Sequence, residues 1–245
     1  MIFESILKKL KTQKLLAVLI DPENYSDSEL SLRIEIAARQ NVDIVLIGGS
    51  LVSSNLHGPI EIIKSLCNIP VVLFPGSLLQ ISANADGILL ISLISGRNPE
   101  NLIGNHVAAA PTLKKSGLEI LSTGYMLIGN ADDSAVGYMS NTRSIPETKT
   151  DIASATAIAG EMIGHKLIYL EGGSGAGKPI SAKMIAAVKK CISSPLIVGG
   201  GIRNRKDAEA AYAAGADILV VGNAIEKDPS LIADISETRF LDYSV

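Results

Sequence analysis

Tryptophan is absent from this 245-residue chain, and the other aromatics are thin, with three Phe and six Tyr. Platforms for stacking unpaired bases are therefore missing. The formal net charge of −3 supplies no basic field to hold a nucleic acid. The two cysteines, Cys67 and Cys191, lie far apart, with neither metal-ligand spacing nor a disulfide framework, and read as structural thiols of a reducing cytosol. The three histidines, His57, His106 and His165, share no spacing and suit surface or capping roles. With no His or Cys at a strand end, a nucleophilic triad has no support. Long apolar runs are missing as well: the stretch from Leu15 to Ile20 is far too short to cross a bilayer, and no signal-peptide pattern precedes it. The chain reads as cytoplasmic, with contact to a lipid substrate at a membrane surface left open.

What is present is apolar and rhythmic. Hydrophobic residues make up 47% of the chain. Short runs of Val, Ile and Leu recur at 15–20, 43–48, 70–75, 87–92, 119–128, 166–171, 195–200 and 217–222. Most are continuous rather than alternating, the mark of strands covered on both faces by helices. Helical patterns fall between them, at about 27–40, 57–67, 99–115, 150–163, 180–192, 204–214 and 224–237. Ser26 or Asp27 with Glu29 forms a start signal, and Gly215 a stop. Only the stretch after the third strand, GSLLQISANAD, is too short and broken for a helix. This order predicts an α/β fold, a (β/α)8 TIM barrel over residues 1–245 as one domain, with the third helix replaced by a loop. The polar segment 129–151 breaks the rhythm and reads equally as a lid over the barrel mouth or as a surface loop.

In such barrels chemistry sits at the C-terminal ends of the strands. Four segments there are glycine-rich: GGS at 48–50, YLEGGSGAGKP at 169–179, GGGIR at 199–203 and GN at 222–223. Residues 172–178 match a nucleotide-binding P-loop until Pro179 stands where Ser or Thr is needed, which argues against an NTPase. Loops after the seventh and eighth strands, with a helix N-terminus, make the usual phosphate site of these barrels. The segment around Gly172 then reads as a third wall of that cradle, with Pro179 opening the next helix in its first turn. Asp21 follows a wholly apolar strand and so projects into the mouth, where a carboxylate suits magnesium; Ser50 adds a hydroxyl. Tyr169 and Glu171 share a face by period two while Leu170 points away. They read as a hydroxyl-recognising pair, with Glu171 a candidate general base. Apolar residues at 77–82 and 91–96 border the mouth, as groove or as ordinary core.

The motifs IDPE, GGS, PVVLFPGS, YLEGGSGA, VGGGIR and VGNAIE, in this order, resemble the geranylgeranylglyceryl phosphate synthases and their heptaprenylglyceryl phosphate synthase relatives along nearly the whole chain. The resemblance implies a magnesium-dependent prenyltransferase that joins sn-glycerol 1-phosphate to a polyprenyl diphosphate through an ether bond. It implies that Asp21 and Ser50 hold the metal. The segment Tyr169, Leu170, Glu171, Gly172, Gly173, Ser174 and Gly175 would hold glycerol phosphate, with Gly200, Gly201, Gly222 and Asn223 on its phosphate. Catalysis would fall to Glu171 as base, with Tyr169 and Asp21. It implies, too, a homo-oligomer and a barrel whose third helix is a loop. Prenyl length, C20 or C35, stays open. Two other classes also stay open: a sugar-phosphate isomerase or epimerase, which shares the phosphate loops, and a non-catalytic phosphate-sensing barrel.

Overall fold

The structure, a computed structural model, describes residues 1–50, 52, 55–129 and 131–243. The eight apolar runs form eight strands: β1 (Leu15–Ile20), β2 (Ile44–Ile47), β3 (Val71–Leu73), β4 (Gly87–Leu93), β5 (Glu119–Leu127), β6 (Leu167–Glu171), β7 (Leu196–Gly199) and β8 (Ile218–Val221). Each is parallel to its neighbours, and β8 pairs with β1 to close the barrel. The continuous apolarity of the runs follows from burial on both faces. Leu15 and Ala17 of β1, Tyr125 and Leu127 of β5, and Tyr169 of β6 fill the barrel interior. Leu16, Val18 and Ile20 of β1, with Leu170 of β6, pack outward beneath the helices.

Ten α-helices accompany the strands among the described residues: α1 (Ile2–Lys9), α2 (Asp27–Arg39), α3 (His57–Leu66), α4 (Asn105–Ser116), α5 (Ala135–Ser140), α6 (Thr150–Met162), α7 (Ala182–Lys189), α8 (Arg205–Ala213), α9 (Asn223–Lys227) and α10 (Leu231–Thr238). Ser26 is the N-cap of α2 and makes a reciprocal capping box with Glu29. Gly215 follows α8 at φ +107°, as its stop signal requires. Two helix expectations need correction. The single helix over 224–237 is two, because Pro229 lacks an N–H and drives Asp228 into an extended conformation (φ −143°, ψ 95°). Pro179 does not open a helix. Ser181 caps α7 by accepting from the Met184 N–H, and Pro179 stays in the preceding loop, pressed against Gly201.

The closed end of the barrel is held by charge. Asp43, Asp86 and Asp217 stand immediately before β2, β4 and β8, and each accepts from the first or second N–H of the preceding strand, at 3.0 Å (Leu16), 2.8 Å (Val71) and 2.9 Å (Leu196). Each carboxylate also meets a lysine, at 2.7 Å (Lys9), 2.7 Å (Lys64) and 2.5 Å (Lys189). Arg239, 1% exposed, pairs with Asp43 and also donates to the carbonyls of Gln40, Asn41 and Ser236. Replacing it strands a buried carboxylate. Arg239→Leu is expected to cost about 3–5 kcal/mol in urea unfolding, and a loss below about 1 kcal/mol would contradict this account.

After β3 no helix covers the barrel. Residues 74–86 hold only a 3₁₀ turn, Leu78–Gln80, capped by Ser77. The missing-helix expectation is thus met. The outer face of β4, with Ile88 and Leu90, is left to Ile81 of this segment and to α4.

Candidate active site

At the open end, the strand-end loops surround one cavity of about 820 Å³, within the range of small-molecule sites. The period-two alternation that sends Leu15, Ala17 and Leu19 inward carries on to Asp21, whose carboxyl lines this cavity. Gly49, at the end of β2, lies against that carboxyl so closely that a Cβ there would collide with it. Ser50 follows on the same rim. One Asp21 oxygen accepts from the Glu23 N–H at 3.2 Å. Burial pushes the Asp21 carboxyl above its ordinary range; the Glu23 amide pulls it back, and the charges of Glu226 and Glu23 push it up again.

Across the cavity the glycine loops converge. Asn223, which opens α9, accepts from Ser174 Oγ at 3.0 Å and from the Gly175 N–H at 3.3 Å, tying the loop after β6 to the loop after β8. Gly200 and Gly201 both adopt positive φ (+84° and +78°). A Cβ on Gly200 would strike Glu171 Oε1 and the Gly172 backbone, and one on Gly201 would strike Lys178 and Pro179. The bare backbone at these two positions is therefore required by the approach of the loop after β6 as well as by dihedral freedom. Ser174, Gly175, Gly200, Gly201, Gly222 and Asn223 all border the cavity. Arg203 joins them and donates to the Ala176 carbonyl at 2.5 Å.

The floor is aromatic. Tyr169, fully buried, stacks on Phe74 at 5.7 Å (13° between planes) and tilts against Tyr125 at 4.8 Å. Glu171 sits above them, 7% exposed. Its Oε1 accepts from the Gly173 N–H at 2.7 Å, and the hydroxyls of Tyr125 and Tyr169 also bond to it. Burial raises the Glu171 carboxyl above its ordinary value, and those three bonds only partly offset the rise. Burial, and then the charge of Glu171, hold both tyrosines far above theirs.

Of the residues singled out in the sequence, Asp21, Ser50, Tyr169, Glu171, Ser174, Gly175, Gly200, Gly201, Gly222 and Asn223 come together around this cavity. Gly172 and Gly173 support the loop behind it: the Gly172 N–H bonds Gly199 O at 2.9 Å. The Leu170 side chain faces the outer layer, and Leu170 is not among the residues lining the cavity. Segment 129–151, whose Asn130 lies outside the described residues, is a structured rim. Val136 and Met139 of α5 line the cavity, and Asn101 Nδ2 donates to Ser140 O at 3.2 Å. His57 opens α3 at the surface, but His106 is no surface residue: it lines the cavity and its ring nitrogen meets Ile91 O at 2.8 Å. The cysteines are free, as expected.

Sequence reasoning missed Phe74, Tyr125, Gln80 and Arg203. Tyr125 was within reach, since counting by two along β5 puts 121, 125 and 127 on one face. Gln80 carried no sequence signal.

From the aromatic floor the cavity continues as an apolar arm where the helix after β3 is missing, past Ile81, Ile88 and Leu90 to Ala109 and Leu113 of α4. Of the stretches expected to border a groove, Leu78 and Ile81 line the cavity on the arm's side and Ile91 and Leu93 line it from the barrel interior, whereas Leu79 is 91% exposed.

Comparison with known proteins adds to this geometry. A profile of the PcrB family matches residues 8–239. The geranylgeranylglyceryl phosphate synthase of Chitinophaga pinensis is 52% identical over 234 residues, 94% of this chain and 92% of the relative. The protein of the same name from Thermococcus gammatolerans is 41% identical over 92% of this chain and 90% of its own length. Among solved structures, (S)-3-O-geranylgeranylglyceryl phosphate synthase of Thermoplasma acidophilum, in complex with its substrate sn-glycerol-1-phosphate, superposes with a TM-score of 0.92 at 31% identity, covering 97% of both chains. The tryptophan synthase alpha chain of Legionella pneumophila (14% identity, TM-score 0.60) shares the fold alone.

Proposed function

This chain belongs to the PcrB family, and on that premise we propose that it is a geranylgeranylglyceryl phosphate synthase, a prenyltransferase joining sn-glycerol 1-phosphate to a long polyprenyl diphosphate with release of diphosphate. One observation supports this reading above the others: a glycine-built anion cradle and an acidic residue face each other across a single cavity that runs on into an apolar arm. A sugar-phosphate isomerase has no use for that arm.

The phosphate of glycerol 1-phosphate sits in the cradle of Gly200, Gly201, Gly222 and Asn223, where backbone N–H groups suit an anion. The glycerol hydroxyl then points to Glu171. Glu171 accepts the hydroxyl proton as the oxygen attacks the first carbon of the prenyl chain, and the carbon–oxygen bond to diphosphate breaks with its electron pair leaving on diphosphate. Positive charge gathers on the allylic carbon over the faces of Phe74, Tyr125 and Tyr169, which favour a cation. The tail lies along Ile81, Ile88, Leu90 and Leu113. Holding both substrates in line lowers the barrier further, because encounter and orientation are settled on binding.

The donor set at Asp21 fits magnesium. The carboxyl is half-buried and pressed by the charges of Glu23 and Glu226, which a cation would relieve. Among the described residues no three His, Cys, Asp or Glu form a cage, so an ion here would draw on diphosphate and water beside the protein oxygens, the usual mode for magnesium. Asp21 and Ser50 would hold it, and it would supply charge neutralisation on the leaving diphosphate. Among the described residues no helix is long and apolar enough to cross a membrane. Brief contact with a membrane surface, where the prenyl substrate dissolves, belongs to the same reading, as do a homo-oligomeric assembly and a cytoplasmic location.

Incubation with labelled sn-glycerol 1-phosphate, magnesium and a series of polyprenyl diphosphates tests this directly. Label is expected in the organic extract, with one tail length preferred. Label confined to the aqueous phase for the whole series would refute the proposal.

A further inference from the structure

The loops after β1, β2 and β3 meet with almost no side chains between them. A Cβ at Gly48 would strike the Phe74 carbonyl, one at Gly49 the Asp21 carboxyl, and one at Gly76 the backbone of Gly49 and Ser50. Such bare contacts supply little register of their own, since glycine backbone has wide conformational freedom. One side chain supplies it. Gln80, 2% exposed, closes the 3₁₀ turn that stands where a helix would be. Its Oε1 accepts from the Gly49 N–H at 3.3 Å and from the Gly76 N–H at 3.1 Å, and its Nε2 donates to Gly49 O at 2.8 Å. A single amide thus joins the loop bearing Ser50 to the loop bearing Gly76, directly behind Asp21. The next residue, Ile81, lines the apolar arm.

We propose that Gln80 is a positioning residue for the diphosphate end of the prenyl substrate: it holds the backbone of Gly49, and with it Ser50, in register with Asp21 while anchoring the start of the tail groove. The inference rests on the transferase reading above. It takes no part in holding glycerol phosphate, whose cradle is built from the loops after β6, β7 and β8 on the opposite rim.

Gln80→Leu removes all three hydrogen bonds at similar size. Gln80→Glu keeps the acceptor toward the two N–H groups and loses the donor. For Gln80→Leu, KM for geranylgeranyl diphosphate is expected to rise on the order of tenfold, because buried N–H groups lose their partner and the loops drift. KM for sn-glycerol 1-phosphate is expected to stay within about twofold, as for a distant independent site. Calorimetric titration of each variant with an unreactive thiolo analogue of geranylgeranyl diphosphate, and separately with sn-glycerol 1-phosphate, should show the same split without turnover, with Gln80→Glu between wild type and Gln80→Leu. Equal weakening of both ligands, or of neither, would overturn the inference. Wild type that transfers normally while the variants show no split removes this inference alone; wild type that transfers nothing removes the transferase reading and this inference with it.

Discussion

Asp21→Ala is expected to lower transfer by on the order of 10³-fold, the scale seen when a preorganised partner of a developing negative charge is removed, while sn-glycerol 1-phosphate still binds. The separation follows from placement. Asp21 ends β1 and faces Gly49 and Ser50, whereas the anion cradle belongs to the loops after β6, β7 and β8. Only the leaving diphosphate depends on the acid. The variant is expected to fold normally, because Asp21 is a half-buried carboxyl repelled by Glu226 and Glu23, so its removal relieves charge rather than breaking a network. Single-turnover kinetics and calorimetry with glycerol phosphate are the two readouts. Parallel loss of glycerol phosphate binding would contradict the metal-side role.

The second large effect belongs to Glu171. Glu171→Gln keeps the shape and the bond from Gly173 but cannot take a proton. Transfer is expected to fall by about 10²–10⁴-fold, the usual share of a general base. The pH profile adds a check. Glu171 works deprotonated, so activity rises with pH through its pKa, and burial lifts that limb above the ordinary glutamate value of 4.5. The limb is expected to vanish in the variant. Stability should move the other way. A carboxyl whose folded pKa is raised contributes most when protonated, and that contribution fades as pH climbs from 4.5 through the raised value. Glu171→Gln stays neutral throughout, so urea unfolding should show it gaining on wild type as pH climbs from 4.5 through the raised value. A variant that loses stability relative to wild type over that range would show that the bonds from the tyrosines and Gly173 outweigh the burial, and would contradict the raised pKa.

The two variants share a lesson about cost. Both residues sit in the cavity with their charge incompletely matched by the protein, and both are expected to be dispensable or costly for folding. Arg239 and Asp43, at the other end of the same barrel, are the reverse: a fully bonded buried pair whose loss is structural. The barrel keeps its stabilising charges at the strand starts and leaves unbalanced ones at the strand ends, where substrates complete them.

Much of this was legible along the chain. Apolar runs, most of them continuous, marked all eight strands, because a strand buried on both faces favours apolar residues along its whole length, and that is a local pattern. Strand ends located the cavity, the end of a wholly apolar strand put Asp21 at its mouth, and period two put Tyr169 and Glu171 on one face. Segment GSLLQISANAD announced the missing helix. The helix ends were read less well where a cap competed with a proline, as at Ser181 and Pro179. What only the tertiary structure decided was which residues of different strands come level. Closure of the barrel sets Tyr125 beside Tyr169, stacks Phe74 on Tyr169 and tilts it against Tyr125, brings Asn223 to Ser174, and carries Gln80 behind Gly49. The alternation of side chains tells a strand which way each residue points; the stagger between strands, a property of the closed ring, tells it whom that residue meets.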